Sequence, residues 1–177
     1  KEMGKRYPVD SYGKGFKDWL KSPKGTIGTS WANGCLMRVS PFMYLPVETA
    51  LVKAIESCIC SHNHMISIKA VCDLYSLYIL TSSELMTNTK PKPIQGFNIK
   101  ADETFNIINE IYWRSLSTRD SIITAVSLGG DTDTNASIVG ELSNNLYQDL
   151  DITDIDYVES KLDSYQLNIL HDFNENY

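Results

Sequence analysis

The sequence predicts an all-α fold, and three observations carry that prediction. Apolar residues recur at i, i+3, i+4 and i+7 along most of the chain. No alternating stretch of useful strand length occurs. A proline pair and a glycine pair, Pro91 with Pro93 and Gly129-Gly130, punctuate the chain between periodic segments. A length of 177 residues suits one domain spanning 1–177, and no internal repeat divides it.

The first periodic stretch places Val47, Leu51, Ala54, Ile55, Cys58 and Ile59 on one helical face. After the polar break Ser61-His62-Asn63-His64, Ile68, Val71, Cys72, Tyr75, Tyr78 and Ile79 repeat the pattern. Pro91 and Pro93 mark a loop of about a dozen residues between Ser82 and Gly96. Phe105, Ile108, Ile111 and Tyr112 begin another helix, and Ile122, Ile123 and Val126 a further one. That helix should end at Gly129-Gly130, glycine being the usual residue past a helix C-terminus. Ile138, Val139, Leu142 and Leu146 define the next helix. One final helix is expected over 154–170, with Thr153 and Asp156 resembling a capping box.

With 42% hydrophobic and 21% charged residues, the composition is that of an ordinary soluble protein. The formal charge of −6 argues against a nucleic-acid partner. No apolar run approaches the ~20 residues of a bilayer span, so no membrane partner is expected. The charge is uneven: Lys1–Gly25 carry seven basic and three acidic residues, Asp149–Tyr177 eight acidic residues and one lysine. Most of this reads as solvated surface, with only a weak indication of a docking face. Of the four cysteines, none forms a C-x-x-C pair and no histidine lies at zinc-ligand spacing from two of them, and the compartment expected is a reducing cytoplasm. Cys58 and Cys72 fall on apolar stripes and are expected to be small buried hydrophobes.

Chemistry concentrates in Leu128-Gly129-Gly130-Asp131-Thr132-Asp133-Thr134, which sets two acids and two hydroxyls behind a glycine pair. Like charges so close repel unless a cation lies between them, and oxygen-only ligands favour Mg²⁺ or Mn²⁺. The plain alternative is a helix cap on a solvated loop, with side-chain oxygens accepting free backbone N–H groups. An EF-hand is excluded, because counting from Asp131 its glycine and glutamate positions hold Ala136 and Leu142. A second unusual segment is Thr29-Ser30-Trp31-Ala32-Asn33-Gly34-Cys35-Leu36-Met37-Arg38-Val39-Ser40-Pro41. Its glycine permits close approach of a ligand, and its Asn and Arg can contact polar and phosphate oxygens. The alternative there is a polar turn entering a helix, with Met37 and Val39 in the core.

Together, and in this order, the two segments resemble the ADP-ribosylglycohydrolase family, whose members carry G-N-G-S-x-M-R-V-x-P and later G-G-D-[TS]-D-T. The lead-in Tyr7-Pro8 through Tyr12-Gly13 to Trp19-Leu20 and the element Ser61-His62-Asn63-His64 also look like family motifs. The resemblance implies an all-α ADP-ribosylglycohydrolase-like domain with two Mg²⁺ or Mn²⁺ ions in a cleft that binds ADP-ribose. It implies Asp131, Asp133 and Thr134 as metal ligands, and Gly129 and Gly130 as the close approach to the ligand. It implies that Asn33, Gly34, Cys35 and Met37 line the ADP-ribose groove and that Arg38 supports that loop. His62 matches the ligand-facing histidine, and His64 is the lesser choice; for either residue the alternative is a helix-capping or interhelix histidine.

Ala32 and Cys35 stand where the family has Gly and Ser, which removes one hydroxyl contact. The family's N-terminal G-D-x-x-G and T-D-D-T elements have no counterpart in Lys1–Trp31, where Asp10 and Asp18 are isolated. The chain also begins at Lys1 and not Met, and the expectation is that the catalytic N-terminal part is missing. No general base is assigned. The function implied is an ADP-ribosyl hydrolase acting on an ADP-ribosylated substrate, with the missing acids supplied by an upstream segment or a second chain. The alternative is a non-catalytic ADP-ribose-binding or scaffold protein of the same fold.

Overall fold

The structure is a computed structural model that describes residues 1–9, 12–79 and 91–177. Asp10 and positions 82–90 of the expected 82–96 loop lie outside the described residues. Among the described residues all regular structure is helical, apart from two isolated bridges, Thr29 with His62 and Ala32 with Lys100. The chain is therefore all-α.

Helices α1 (Glu2–Arg6) and α2 (Lys14–Lys21) lead into two 3₁₀ turns, Asn33–Arg38 and Ser40–Tyr44. Then come α3 (Val47–His62), α4 (Met65–Ile79), α5 (Ala101–Tyr112), α6 (Thr118–Leu128) and α7 (Thr132–Tyr147). The core joins α3, α4, α5 and α7 around the first 3₁₀ turn, with Leu36, Val71, Leu74, Ile108, Ile111, Ile138 and Leu142 almost fully enclosed. That short turn is thus a central packing element and sets the Asn33 segment against α5 and α7.

Two helices turn differently from expectation. On α3 the buried line is Ala50, Ala54, Cys58 and Ser61, while Val47 is exposed and Leu51 and Ile55 pack at its edge. Small residues thus occupy the buried side of α3. On α6, Ile123 and Val126 are 57% and 55% exposed, and Thr118, Ser121 and Ala125 face inward. The α6–α7 crossing is tight: a Cβ on Gly140 would lie 3.1 Å from the Ile122 side chain. Cys58 is buried as expected, whereas Cys72 is only half-buried.

The single helix expected over 154–170 is two helices, α8 (Ile152–Glu159) and α9 (Ser164–Asn176). Asp151 starts α8 by accepting from the Thr153 and Asp154 N–H groups, so Thr153 is not the cap. Asp163 restarts the chain with a true capping box: it accepts from Gln166 N–H at 2.9 Å while Gln166 Oε1 accepts from Asp163 N–H at 3.0 Å. The basic N-terminal segment meets this acidic end, with Tyr7 Oη donating to Asp163 at 2.6 Å and Arg6 lying 3.8 Å from the Tyr165 ring centroid. No helix among the described residues is long and apolar enough to cross a membrane.

Candidate functional site

The glycine pair ends α6 in left-handed geometry, with φ of +84° at Gly129 and +77° at Gly130. This reversal carries the chain from the end of α6 into the first turn of α7. Gly130 is required for a second reason, since a Cβ there would lie 2.4 Å from Asn98 Oδ1. The 94–98 segment crosses the glycines, anchored by Ile94 N–H donating to Leu128 O at 2.8 Å.

Asp131 follows as the N-cap of α7, yet its side chain makes no capping hydrogen bond. It turns inward instead, and Asn33 Nδ2 donates to its Oδ2 at 2.7 Å. One bond therefore joins the two motifs across 98 residues of sequence. Asp131 is 7% exposed, whereas the neighbouring Asp133 is open to solvent. Burial pushes the Asp131 carboxyl above the usual range; the Asn33 bond opposes this and the neighbouring Asp133 adds to it. Asp133 is held low, chiefly by its hydrogen bond with Asp131 and then by the Thr134 N–H, which donates to Oδ1 at 3.0 Å. Thr134 is buried with its hydroxyl bonded to Asp131. The N-terminal end of the α7 dipole faces this acid pair.

Around Asp131 lies a polar network that the sequence did not reveal. Asn98 Oδ1 accepts from Asp131 N–H at 2.9 Å, and Asn98 Nδ2 donates to Thr104 Oγ1 at 3.0 Å and Asn135 Oδ1 at 3.2 Å. Asn33 Nδ2 also reaches Thr104 Oγ1 at 3.1 Å. Thr104 and Asn135 are completely enclosed. Nothing local distinguishes Asn98 in the 91–100 loop; its role arises only where three segments meet. An Asn98→Ala variant is expected to lose about 2–3 kcal/mol in urea unfolding, because it strands the Asp131 N–H and the Asn135 side-chain amide. An unchanged denaturation midpoint would refute this accounting.

The remaining predicted residues divide. Gly34 lies against the His62 ring, 3.5 Å from Nε2 to a Cβ built on it, so the first motif and the histidine element also meet. Arg38 supports its loop from beneath, Nη2 donating to Ser61 Oγ at 2.9 Å and Ser57 O at 3.2 Å. Met37 is exposed. The Cys35 side chain does not line a groove: it is 2% exposed within the core, where a residue of that size fills the space between the 3₁₀ turn and α3. The Cys58 thiol is pushed up by its hydrogen bond with Cys35 and by burial. His64 behaves as a cap, its Nδ1 accepting from Ile66 N–H at 3.2 Å at the start of α4.

The donor set of Asp131, Asp133 and Thr134 is made of hard oxygens and so fits Mg²⁺ or Mn²⁺ chemically. Among the described residues no group of three or more His, Cys, Asp or Glu side chains forms a metal cage. Glu141 accepts from Tyr78 about 15 Å along α7 from Asp131 and so does not stand beside the acid pair as a base, and Asp18 is exposed on α2. A cavity of about 360 Å³ between α1 and α2, lined by Gly4, Val9, Tyr12 and Leu20 among others, includes none of these site residues. In comparisons with known proteins, no family model, no curated protein and no solved structure matches the chain.

Proposed function

We propose that this chain is the ADP-ribose-binding part of an ADP-ribosyl hydrolase with an ADP-ribosylglycohydrolase-like fold. The observation that carries the reading is the inward turn of Asp131. A carboxylate that only capped α7 would bond backbone N–H groups of that helix; this one is buried beside a second acid and faces the Asn33–Gly34 loop. Two adjacent acids with no basic partner among the described residues, at the end of a buried network, suit a divalent cation.

In this reading Asp131, Asp133 and Thr134 would hold Mg²⁺ or Mn²⁺, whose charge would supply orientation of ribose hydroxyls and activation of water. Asn33 fixes the Asp131 carboxylate in place, and Gly34 with the backbone at Gly129 and Gly130 leaves room for a sugar to approach. Further carboxylates from an upstream segment or a second chain complete the metal pair and serve as base. The second reading, an ADP-ribose-binding protein without turnover, is favoured by the Asn33 bond, which already satisfies one oxygen of Asp131.

Titration calorimetry with Mn²⁺ and then ADP-ribose tests both readings. Asp131→Ala and Asp133→Ala are each expected to abolish Mn²⁺ binding while circular dichroism shows the parent helix content. Parent-like metal binding by either variant would sink the site assignment. Release of ADP-ribose from a modified substrate after addition of a segment bearing the missing acids supports the hydrolase. Tight binding without release under the same conditions supports the binding protein.

A further inference from the structure

Arg38, Ser61 and His62 form a chain of contacts that the acid pair does not use. Arg38 Nη2 donates to Ser61 Oγ at 2.9 Å, and the same oxygen lies 2.7 Å from His62 Nδ1. A guanidinium has donors only, so Ser61 accepts at that end. Ser61 is buried, and its own hydroxyl proton needs an acceptor; Nδ1 at 2.7 Å fills that role, while the Cys60 thiol at 3.9 Å is a far weaker partner of the same oxygen. With Nδ1 protonated instead, both contacts would be donated to the serine oxygen and the hydroxyl proton would go unpaired. Burial and the Arg38 charge keep the ring uncharged at neutral pH, with its pKa lowered to about 4. A neutral ring that accepts at Nδ1 carries its proton on Nε2. That nitrogen faces Gly34 and has no hydrogen-bond partner among the described residues.

We infer that Arg38 and Ser61 are positioning residues that lock His62 as a neutral donor, its Nε2–H aimed across Gly34 at an oxygen of the bound ligand. This selects a phosphate or hydroxyl oxygen at that point and rejects a ligand N–H, because the locked ring offers no acceptor there. The choice of ADP-ribose as the source of that oxygen rests on the function proposed above; the locked tautomer does not.

The test is long-range ¹H–¹⁵N correlation spectroscopy of the whole chain at neutral pH, with the His62 signals assigned by their loss in His62→Gln. The expected pattern has a proton-free Nδ1 and a protonated Nε2. Ser61→Ala should shift His62 toward the opposite tautomer and weaken ADP-ribose binding in Mg²⁺ about tenfold, the size of one lost hydrogen bond of ~1.4 kcal/mol. Ser61→Thr, which keeps the hydroxyl, should restore both. A protonated Nδ1 in the parent chain, or a tautomer unmoved by Ser61→Ala, overturns the lock. ADP-ribose that binds without perturbing the Nε2 signal overturns the donor role. If the tautomer is as stated and ADP-ribose does not bind, the lock stands and the ADP-ribosyl reading fails.

Discussion

A Gly28→Ala variant is expected to unfold at a much lower denaturant concentration than the parent, with a loss of about 3 kcal/mol or more. The added Cβ would lie 2.3 Å from Ser61 O and 2.9 Å from both Ser61 C and Cα. All three are backbone atoms, so no rotamer change can relieve the contact. Nor can the segment back away freely. Gly28 N–H donates to Cys60 O at 3.2 Å, Asn63 N–H to Gly28 O at 2.9 Å, and Ser30 N–H to Ser61 O at 3.3 Å. Relief of the clash breaks this pairing and tilts the end of α3, which carries His62. Urea denaturation measures the loss directly, and a parent-like midpoint would show that residues 28–30 do not sit this close to α3.

Acidification should unfold the chain through the same histidine. In the unfolded state His62 titrates near its ordinary 6.5; in the fold, burial first and the Arg38 charge second bring it to about 4. Between these values the unfolded chain binds a proton that the fold refuses, so stability falls as pH falls. The contribution is intact above 6.5 and is lost progressively toward 4, and amounts to about 3 kcal/mol. Asp131 and Glu141, both pushed up chiefly by burial, act in the opposite sense above the usual carboxylate range. The informative quantity is therefore the difference between parent and His62→Gln. Unfolding free energies at pH 7 and 4.5 should show a markedly flatter dependence for the variant. Equal slopes in the two proteins would remove His62 as the cause.

The helices that build the core were legible because their apolar residues repeat at 3.6-residue spacing, as Ile108, Ile111, Ile138 and Leu142 show. The facing of α6 was not, since hydropathy favours Ile123 and Val126, while a close helix crossing selects Ser121 and Ala125. The break at Ser160–Asp163 lacks proline and glycine, and its only local sign is the Asp163…Gln166 spacing of a capping box. At the site, the glycine reversal and the Asp131–Asp133 pair could be read locally. Asn98, Thr104 and Asn135 could not, because a single polar residue has no pattern until distant segments enclose it. Cys35 shows the converse, a residue placed by motif position whose side chain the packing claims for the core.

The Asn33–Asp131 bond has a consequence for how the molecule matures. Helices α3 and α4, and likewise α6 and α7, are neighbours in sequence and pack with short loops between them. The bond at the site closes a span of 98 residues, and so requires both halves to have docked. No fragment or half-assembled intermediate can present the joined site. Under the proposed function, binding stoichiometry would be a gauge of maturation: the fraction of chains that take up ADP-ribose would count those that have completed assembly, a distinction that helical content alone does not make.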